Sequence, residues 1–256
     1  MTKTLVLKVQ YDGTNYAGWQ IQPVSISIQE KLEFALLKLF KKEVKVIGSG
    51  RTDAGVHALG QIASINIDFD IRIPENKILG AINGYLPMDI RIKQVFILDN
   101  LDKNFNARFD AEKREYIYYI IRNNNPLESR FASYISYDIT IERLQEASDI
   151  FVGKYNFVTF SKVNLDTSSY ICNIDKCEWT KERDDKFRLN IRSSHFVYGQ
   201  VRALVGAMID YARGKRTIDD LKTALKSENR ELNSPFAPPQ GLILSRIYYP
   251  ERYGIE

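Results

Sequence analysis

The chain has 256 residues, of which 44% are hydrophobic and 27% are charged, and a formal net charge of +4. These values are ordinary for a soluble globular protein with a sizeable core, and they argue against a disordered or fibrous chain. The mild positive charge is compatible with a polyanionic partner but does not require one. No apolar run approaches the length of a membrane-spanning helix, so no contact with a membrane is expected.

The cysteines and histidines are few: Cys172, Cys177, His57 and His195. None of the familiar spacings of zinc ligands can be written with these four residues, so we expect no metal site. Two free thiols in a reducing compartment are favoured over a disulfide. A strand pattern follows directly after Met1-Thr2-Lys3, so we expect no signal peptide and a cytoplasmic location.

The first half of the chain predicts a β-α-β-β-α-β order of elements. Residues 4–11 alternate like a half-buried strand, and Ser27 with Glu30 forms the capping box of a helix whose apolar face begins at Ile28. The other predicted elements are strands at Val44–Ile47, Ile62–Phe69 and Ile90–Leu98 and a helix at Asn76–Tyr85.

The second half repeats this kind of order more loosely. It predicts strands at Glu115–Arg122, Tyr170–Lys181, Lys186–Ser193 and Leu242–Tyr248, with helices at Ile141–Val152, from Val201 to a closing Gly214, and after the capping pair Thr217 and Asp220. The fold class is therefore α+β, with two units that each contain a mostly antiparallel sheet. The boundary is expected within Asp99–Lys113, which gives subdomains 1–105 and 106–256.

The run Gly-Arg-Thr-Asp-Ala-Gly-Val-His-Ala, Gly50–Ala58, lies between two predicted strands. Its glycines let the backbone come close to a ligand, and Asp53 beside the guanidinium of Arg51 is a candidate nucleophile. On spacing alone the alternative is favoured, in which Asp53 caps a turn and Arg51 is an ordinary ion-pair partner. The Lys-Ser/Thr ending of a phosphate-binding loop is absent.

This run resembles the active-site motif of the tRNA pseudouridine synthase A family, and further segments resemble the other motifs of that family in the same order. They are Tyr11-Asp12-Gly13 with Gly18-Trp19-Gln20, Phe105-Asn106-Ala107-Arg108-Phe109 before Lys113–Tyr118, Phe196–Gly206, and Ala237–Leu244. The resemblance spans the whole chain, and a nine-residue motif with four ordered companions is highly specific.

The resemblance implies two ferredoxin-like subdomains with the active site in the cleft between them. It implies that Asp53 attacks the target uridine, either at the ribose C1′ or at C6 of the ring, and that the base then rejoins the sugar through carbon. No cofactor or metal is needed for this isomerisation. The implied substrates are the uridines at positions 38, 39 and 40 in the anticodon stem-loop of tRNA, and the implied assembly is a homodimer.

The resemblance also assigns roles to four other residues. Arg51 would enter the RNA stem as the base leaves it, Tyr116 would stack on the uracil, and Arg202 would pair with Asp53 and keep it ionised. Leu242, with Leu244, would form a wall of the pocket. Tyr116 and the leucines are equally well explained as core residues, since Tyr116 shares a predicted buried face with Tyr118.

Two segments depart from the family pattern, which commonly has Arg-x-Ile and Gly-x-His-Asp-Phe where this chain has Cys172-Asn173-Ile174 and Gly153–Phe157. They leave the assigned residues untouched but affect RNA docking and the choice of uridines. Basic side chains that could line a phosphate track are Lys41, Lys42, Lys45, Arg114, Arg213, Lys215 and Arg216. The rival hypotheses are a synthase with another RNA target, a non-catalytic RNA-binding module and, less favoured, a metal-dependent nuclease.

Overall fold

The computed structural model of the protein describes residues 3–99, 105–165 and 167–255. By their contacts these residues form two units, the first holding the described residues up to Glu112 and again from Leu244 onward, the second holding Lys113–Ile243. The linker expected within Asp99–Lys113 falls in part on residues 100–104, which lie outside the described residues, as do the first two residues of the chain. None of the described helices is long and apolar enough to cross a membrane.

The first unit has the predicted β-α-β-β-α-β order. Its elements are β1 (Lys3–Tyr11), α1 (Ile28–Phe40), β2 (Ile47–Gly48), β3 (His57–Ile67), α2 (Glu75–Asn83) and β4 (Ile90–Leu98). The strands lie in the order β4-β1-β3-β2 and every neighbouring pair is antiparallel. Because β3 is inserted between β1 and β2, this is the split β-α-β arrangement of a ferredoxin-like unit, and the predicted fold class is confirmed.

The core of the first unit lies between α1 and the sheet. The capping box at Ser27 and Glu30 is formed as predicted, and it starts the helix at Ile28, the first of its buried residues. The half-buried pattern predicted for β1 is confirmed from Leu7 to Tyr11, where Lys8 and Gln10 are half-buried between buried neighbours. It fails at the start of the strand, because Thr4 and Val6 are buried as fully as Leu5.

The second unit repeats the split arrangement. Its elements are β5 (Lys113–Ile121), β6 (Ser133–Tyr134), α3 (Ile141–Asp149), β7 (Gly153–Asn156), β8 (Ile171–Arg183), β9 (Lys186–Ser193), α4 (Gln200–Ala212) and α5 (Ile218–Ser227). The strand order is β5-β9-β8-β7, with β9 inserted antiparallel between β5 and β8. Helix α4 is buried along nearly its whole length and is the central helix of this unit. The final strand, β10 (Leu242–Tyr248), has the predicted bounds.

Several boundaries differ from the sequence prediction for identifiable reasons. The strand expected at Val44–Ile47 is reduced to β2, because the N–H and the carbonyl of Val46 bond to the side chains of Glu33 (3.0 Å) and Gln29 (3.1 Å) on α1. The helix expected to reach Val152 ends at Asp149, where the chain turns toward Gly153 at a positive φ of 128°. The short strands β6 and β7 were not predicted.

Candidate active site

The run that contains Asp53 forms the loop between β2 and β3. Along this loop Arg51 is exposed, Thr52 is buried and Asp53 is half-buried, so the carboxylate lies at the boundary between protein and solvent. Strand β3 begins within the run, at His57, five residues before the predicted start. Asp53 is therefore held four residues from a central strand, which is a more rigid place than an isolated surface turn.

The segment that follows β1 holds the loop from one side. The Tyr11 hydroxyl lies 2.8 Å from Oγ1 of Thr52, and the N–H of Trp19 donates to the carbonyl of Thr52 at 3.1 Å. Gly18 has a φ of 100°, and a Cβ there would lie 2.4 Å from the same carbonyl. The motif residues near the N-terminus therefore support the backbone immediately before Asp53, and only glycine at position 18 permits this approach.

Gln61 of β3 holds the start of the loop. Its side chain, which is completely buried, accepts a hydrogen bond from the Ser49 hydroxyl (2.6 Å) and donates one to the carbonyl of Gly50 (2.9 Å). Gln61 was not predicted from the sequence. A signal was present, since a polar residue between apolar neighbours, directly before a predicted strand, has to satisfy its hydrogen bonds within the protein when it is buried.

His57 closes the other end of the loop. Its Nδ1 lies 3.0 Å from the N–H of Gly13 and 3.1 Å from Oδ1 of Asp12. Because a backbone N–H can only donate, Nδ1 accepts from Gly13, and the carboxylate of Asp12 is a close neighbour rather than the acceptor of a proton from this nitrogen. His57 thus ties the loop to the turn after β1, which is a structural role.

In the second unit, the structure distinguishes the two tyrosines of β5. Tyr118 is fully buried, its hydroxyl donates to the carbonyl of Pro238 at 2.9 Å, and burial raises its pKa above the usual range. Tyr116 is 8% exposed and packs edge-to-face against Phe196, with ring centroids 5.3 Å apart. Tyr118 is therefore a core residue. Tyr116 is slightly exposed, and the ring of Phe196 fixes its orientation.

Arg202 lies in the first turn of α4 and is half-buried rather than buried. Its Nε donates to the carbonyl of Ala237 at 2.7 Å, and its own carbonyl accepts from the N–H of Ala237 at 3.0 Å. Reciprocal hydrogen bonds at Arg202 thus join the two segments Phe196–Gly206 and Ala237–Leu244 that resemble family motifs. Leu242, at the start of β10, is 6% exposed, and the neighbouring Leu244 is fully buried.

The assigned residues are divided between the units. Arg51 and Asp53 belong to the first unit, and Tyr116, Arg202 and Leu242 belong to the second. Within each unit, the hydrogen bonds and ring contacts described above hold the segments that carry these residues. The pairing of Asp53 with Arg202 stays a prediction.

The two departures from the family pattern meet on adjacent strands. Tyr155 of β7 is the register partner of Cys172 of β8. The thiol of Cys172 is buried and lies 3.5 Å from both Nε2 of His195 and Oε1 of Gln200, and burial raises its pKa to about 12. Both cysteines are free. The replacements at these positions are therefore neighbours, and they form one altered region rather than two.

The basic candidates are divided between the two units. Lys41, Lys42 and Lys45 follow α1 in the first unit, whereas Arg114, Arg213, Lys215 and Arg216 belong to the second. Arg213 and Lys215 approach Asp210 at 2.6 and 3.7 Å and line an open cavity of about 450 Å³ with Tyr137. Arg114 and Arg216 donate to backbone carbonyls. A phosphate track through all seven residues stays a prediction.

Comparison with known proteins extends these observations over the whole chain. The family described as tRNA pseudouridine synthase matches residues 8–110 and 147–250. Proteins named tRNA pseudouridine synthase A are 38% identical in Borrelia turicatae (96% of this chain, 99% of the relative), 35% in Bacillus subtilis (94% and 97%) and 35% in an Exiguobacterium species (96% and 98%). Among solved structures, a Cbf5-Nop10-Gar1 complex matches with a TM-score of 0.33 and 11% identity, covering 94% of this chain and 58% of that chain.

Proposed function

Because the chain belongs to the tRNA pseudouridine synthase family, we propose that it converts uridine to pseudouridine in the anticodon stem-loop of tRNA with Asp53 as the nucleophile. The observation that supports Asp53 is its position: a half-buried carboxylate in a loop that Tyr11, Trp19 and Gln61 fix from two sides. A nucleophile held in this way needs little reorganisation to reach the substrate.

The reaction exchanges one bond for another. The bond between the ribose C1′ and N1 of uracil breaks, and a bond between C1′ and C5 forms. The carboxylate of Asp53 attacks either C1′ or C6, and its bond to the substrate is broken again before the product leaves. The proton at C5 is released and N1 gains a proton, so the change is an isomerisation that consumes no cofactor.

The other assigned residues act on the flipped nucleotide and on Asp53. Arg51, which is exposed, takes the place of the base in the RNA stem, and so offsets part of the cost of unstacking. Tyr116, whose ring is held at 85° to that of Phe196, stacks on the uracil. Arg202 pairs with Asp53 and favours its ionised form, and Leu242 bounds the apolar side of the pocket. This arrangement requires the cleft between subdomains 1–105 and 106–256 that the family resemblance implies.

The proposal is tested by replacing Asp53→Asn and measuring tritium release from unmodified tRNA labelled at C5 of uracil. The amide keeps the shape of the side chain but cannot act as the nucleophile, so we expect activity to fall by at least about 1,000-fold. Asp184→Asn is the matched control, because the side chain of Asp184 is fully exposed in the turn between β8 and β9. Tritium release by Asp53→Asn at the wild-type rate would exclude Asp53 as the nucleophile.

The choice of uridines and the assembly are further parts of the proposal. Family resemblance supports modification at positions 38, 39 and 40, a homodimer and a cytoplasmic location, and the two free thiols fit a reducing compartment. Primer extension after carbodiimide treatment, in cells with and without the gene, identifies the modified uridines. Sedimentation equilibrium tests for a species of twice the 29.6 kDa chain mass.

A further inference from the structure

The motif Phe105-Asn106-Ala107-Arg108-Phe109 has no assigned role in the reaction, although it is part of the family resemblance. In the structure it forms a turn of the first unit, just before β5. Phe105 anchors the turn, because its ring is 1% exposed and packs edge-to-face against Tyr249 and Tyr253, with centroids 5.0 and 4.9 Å away. The first residue of the motif is therefore explained by packing.

Hydrogen bonds fix the rest of the turn. Ala107 is held on both sides, since its N–H donates to the Ser64 hydroxyl (3.0 Å) and its carbonyl accepts from the Tyr249 hydroxyl (2.6 Å). Oδ1 of Asn106 accepts from the N–H groups of Arg108 and Phe109, and the N–H of Asn106 donates to the carboxylate of Asp110 at 2.8 Å. The backbone of the turn is thus attached to β3 and to the C-terminal segment of the same unit.

This rigid turn presents Arg108 and Phe109 to solvent. The ring of Phe109 is 77% exposed, and the guanidinium of Arg108, which is also exposed, lies 5.5 Å from its centroid. The turn is built by Phe105, Asn106, Ala107 and Asp110. The exposed ring of Phe109 contributes little to folding, because it remains in contact with water. A flat aromatic face beside a cation, held in place before binding, is suited to a nucleobase and its phosphate.

We propose that this turn is a second contact for tRNA, in which the ring of Phe109 stacks on an unpaired base and the guanidinium of Arg108 binds an adjacent phosphate. The turn is attached at Ser64 of β3, two residues beyond Ile62, whose carbonyl accepts from the N–H of Ser49 at the start of the Asp53 loop. The base bound here is another unpaired nucleotide of the same tRNA, because the target uridine is the one that reacts with Asp53. This inference rests on the proposed function, because it takes tRNA as the partner.

The test measures binding of unmodified tRNA to Phe109 variants that also carry Asp53→Asn, so that no turnover occurs. Stacking requires an aromatic face, so we expect Phe109→Leu to weaken binding about tenfold and Phe109→Trp to retain it. Arg108→Gln is expected to weaken binding and to lower the slope of log affinity against log salt by about one. With Asp53 intact, the same variants raise KM and leave kcat within about twofold. Phe34→Leu is the matched control, because Phe34 is a 52% exposed ring with Lys38 5.1 Å away, but it lies on α1.

Equal binding by wild type, Phe109→Leu and Arg108→Gln would overturn the inference. So would a change of oligomeric state in Phe109→Leu, since the ring would then contact a second copy of the chain. Failure of the proposed function would give a different result: the wild type would bind tRNA but release no tritium from it. Failure of Asp53 as nucleophile is also distinct, because the binding assay does not measure it.

Discussion

Gln61 shows how one buried side chain can hold the loop that carries Asp53. Among the contacts described for it, the carboxamide of Gln61 is the bridge from β3 to both Ser49 and the carbonyl of Gly50. It is completely buried, so water cannot replace these bonds if the carboxamide is removed. Asp53 follows Gly50 by three residues. We therefore regard Gln61 as a positioning residue for Asp53.

Replacing Gln61→Leu keeps the volume but removes both hydrogen bonds. We expect the free energy of unfolding to fall by about 1–3 kcal/mol, since the buried Ser49 hydroxyl and the half-buried Gly50 carbonyl each lose a hydrogen bond. We also expect kcat for tritium release to fall while KM for tRNA changes little, because the loop is less well fixed but the RNA-binding surface is intact. Gln94→Leu, at an exposed position on β4, is the control. Normal kcat in a destabilised Gln61→Leu would show that Gln61 serves folding alone.

Residues of the site differ in how far the sequence predicts them. Asp53 and Arg51 stand in a run that is specific enough to be recognised, although its spacing alone favours a turn. Tyr116 could not be separated from Tyr118 by periodicity, because both point to one face of β5. The difference comes from long-range contacts, the carbonyl of Pro238 for Tyr118 and the ring of Phe196 for Tyr116. Such partners lie about 80 to 120 residues away, beyond the reach of a local pattern.

At the scale of elements, α4 and the segment before β10 approach each other closely in the second unit. Gly206 of α4 faces the carbonyl of Pro235, and a Cβ on Gly206 would lie 2.0 Å from that oxygen. The same segment contains Ala237, which makes the two hydrogen bonds with Arg202. Because Gly206 has no side chain, the segment that contains Ala237 can lie close to α4, where Ala237 bonds to Arg202.

Replacing Gly206→Ala is expected to separate α4 from this segment. Relief of the overlap requires a backbone shift, so we expect a loss of about 2–4 kcal/mol in the free energy of unfolding, measured with urea. The same change at Gly80 in α2 is the control, because no atom lies within 4 Å of the added Cβ. There alanine favours the helix, and stability should rise by as much as about 1 kcal/mol. Equal effects at both positions would contradict the role of close approach.

The predictable elements are those whose signals are local. The capping boxes of α1 and α5 and the bounds of β4, β9 and β10 follow from neighbouring residues and agree with the prediction. The short extent of β2 could not be predicted, because Glu33 and Gln29 of α1 bond to the backbone of Val46. The burial of Thr4 and Val6 at the start of β1 could not be predicted either, since it depends on long-range packing.

For the molecule as a whole, one histidine is expected to shape the dependence of stability on pH. His195 is half-buried beside Cys172, and burial, followed by the charge of Arg114, lowers its pKa below the ordinary value of 6.5. The unfolded chain therefore takes up a proton at a higher pH than the folded protein does. The stability contributed by neutral His195 is complete above pH 6.5 and is lost as the pH falls toward the pKa of the folded state.

Urea unfolding between pH 7.5 and 5 measures this effect, with about half a pH unit between points. We expect the free energy of unfolding of the wild type to decline below pH 6.5, and His195→Gln to flatten that decline because glutamine does not titrate. His57 is present in both proteins, so its contribution cancels in the comparison. Parallel curves for the two proteins would show that the pKa of His195 is the same in the folded and unfolded states.

The last strand has a consequence for synthesis of the protein. The first unit includes the residues from Leu244 onward, and Phe105 packs against Tyr249 and Tyr253, while the N–H of Glu112 donates to the carbonyl of Tyr248. On the ribosome, the part of the chain that contains Asp53 emerges early but lacks these partners until residues 244–253 have emerged as well. Domains made of one continuous stretch can fold as they emerge, N-terminal part first. The unit that contains Asp53 is interrupted in the sequence by Lys113–Ile243, so it cannot be completed before the whole of the second unit has been synthesised.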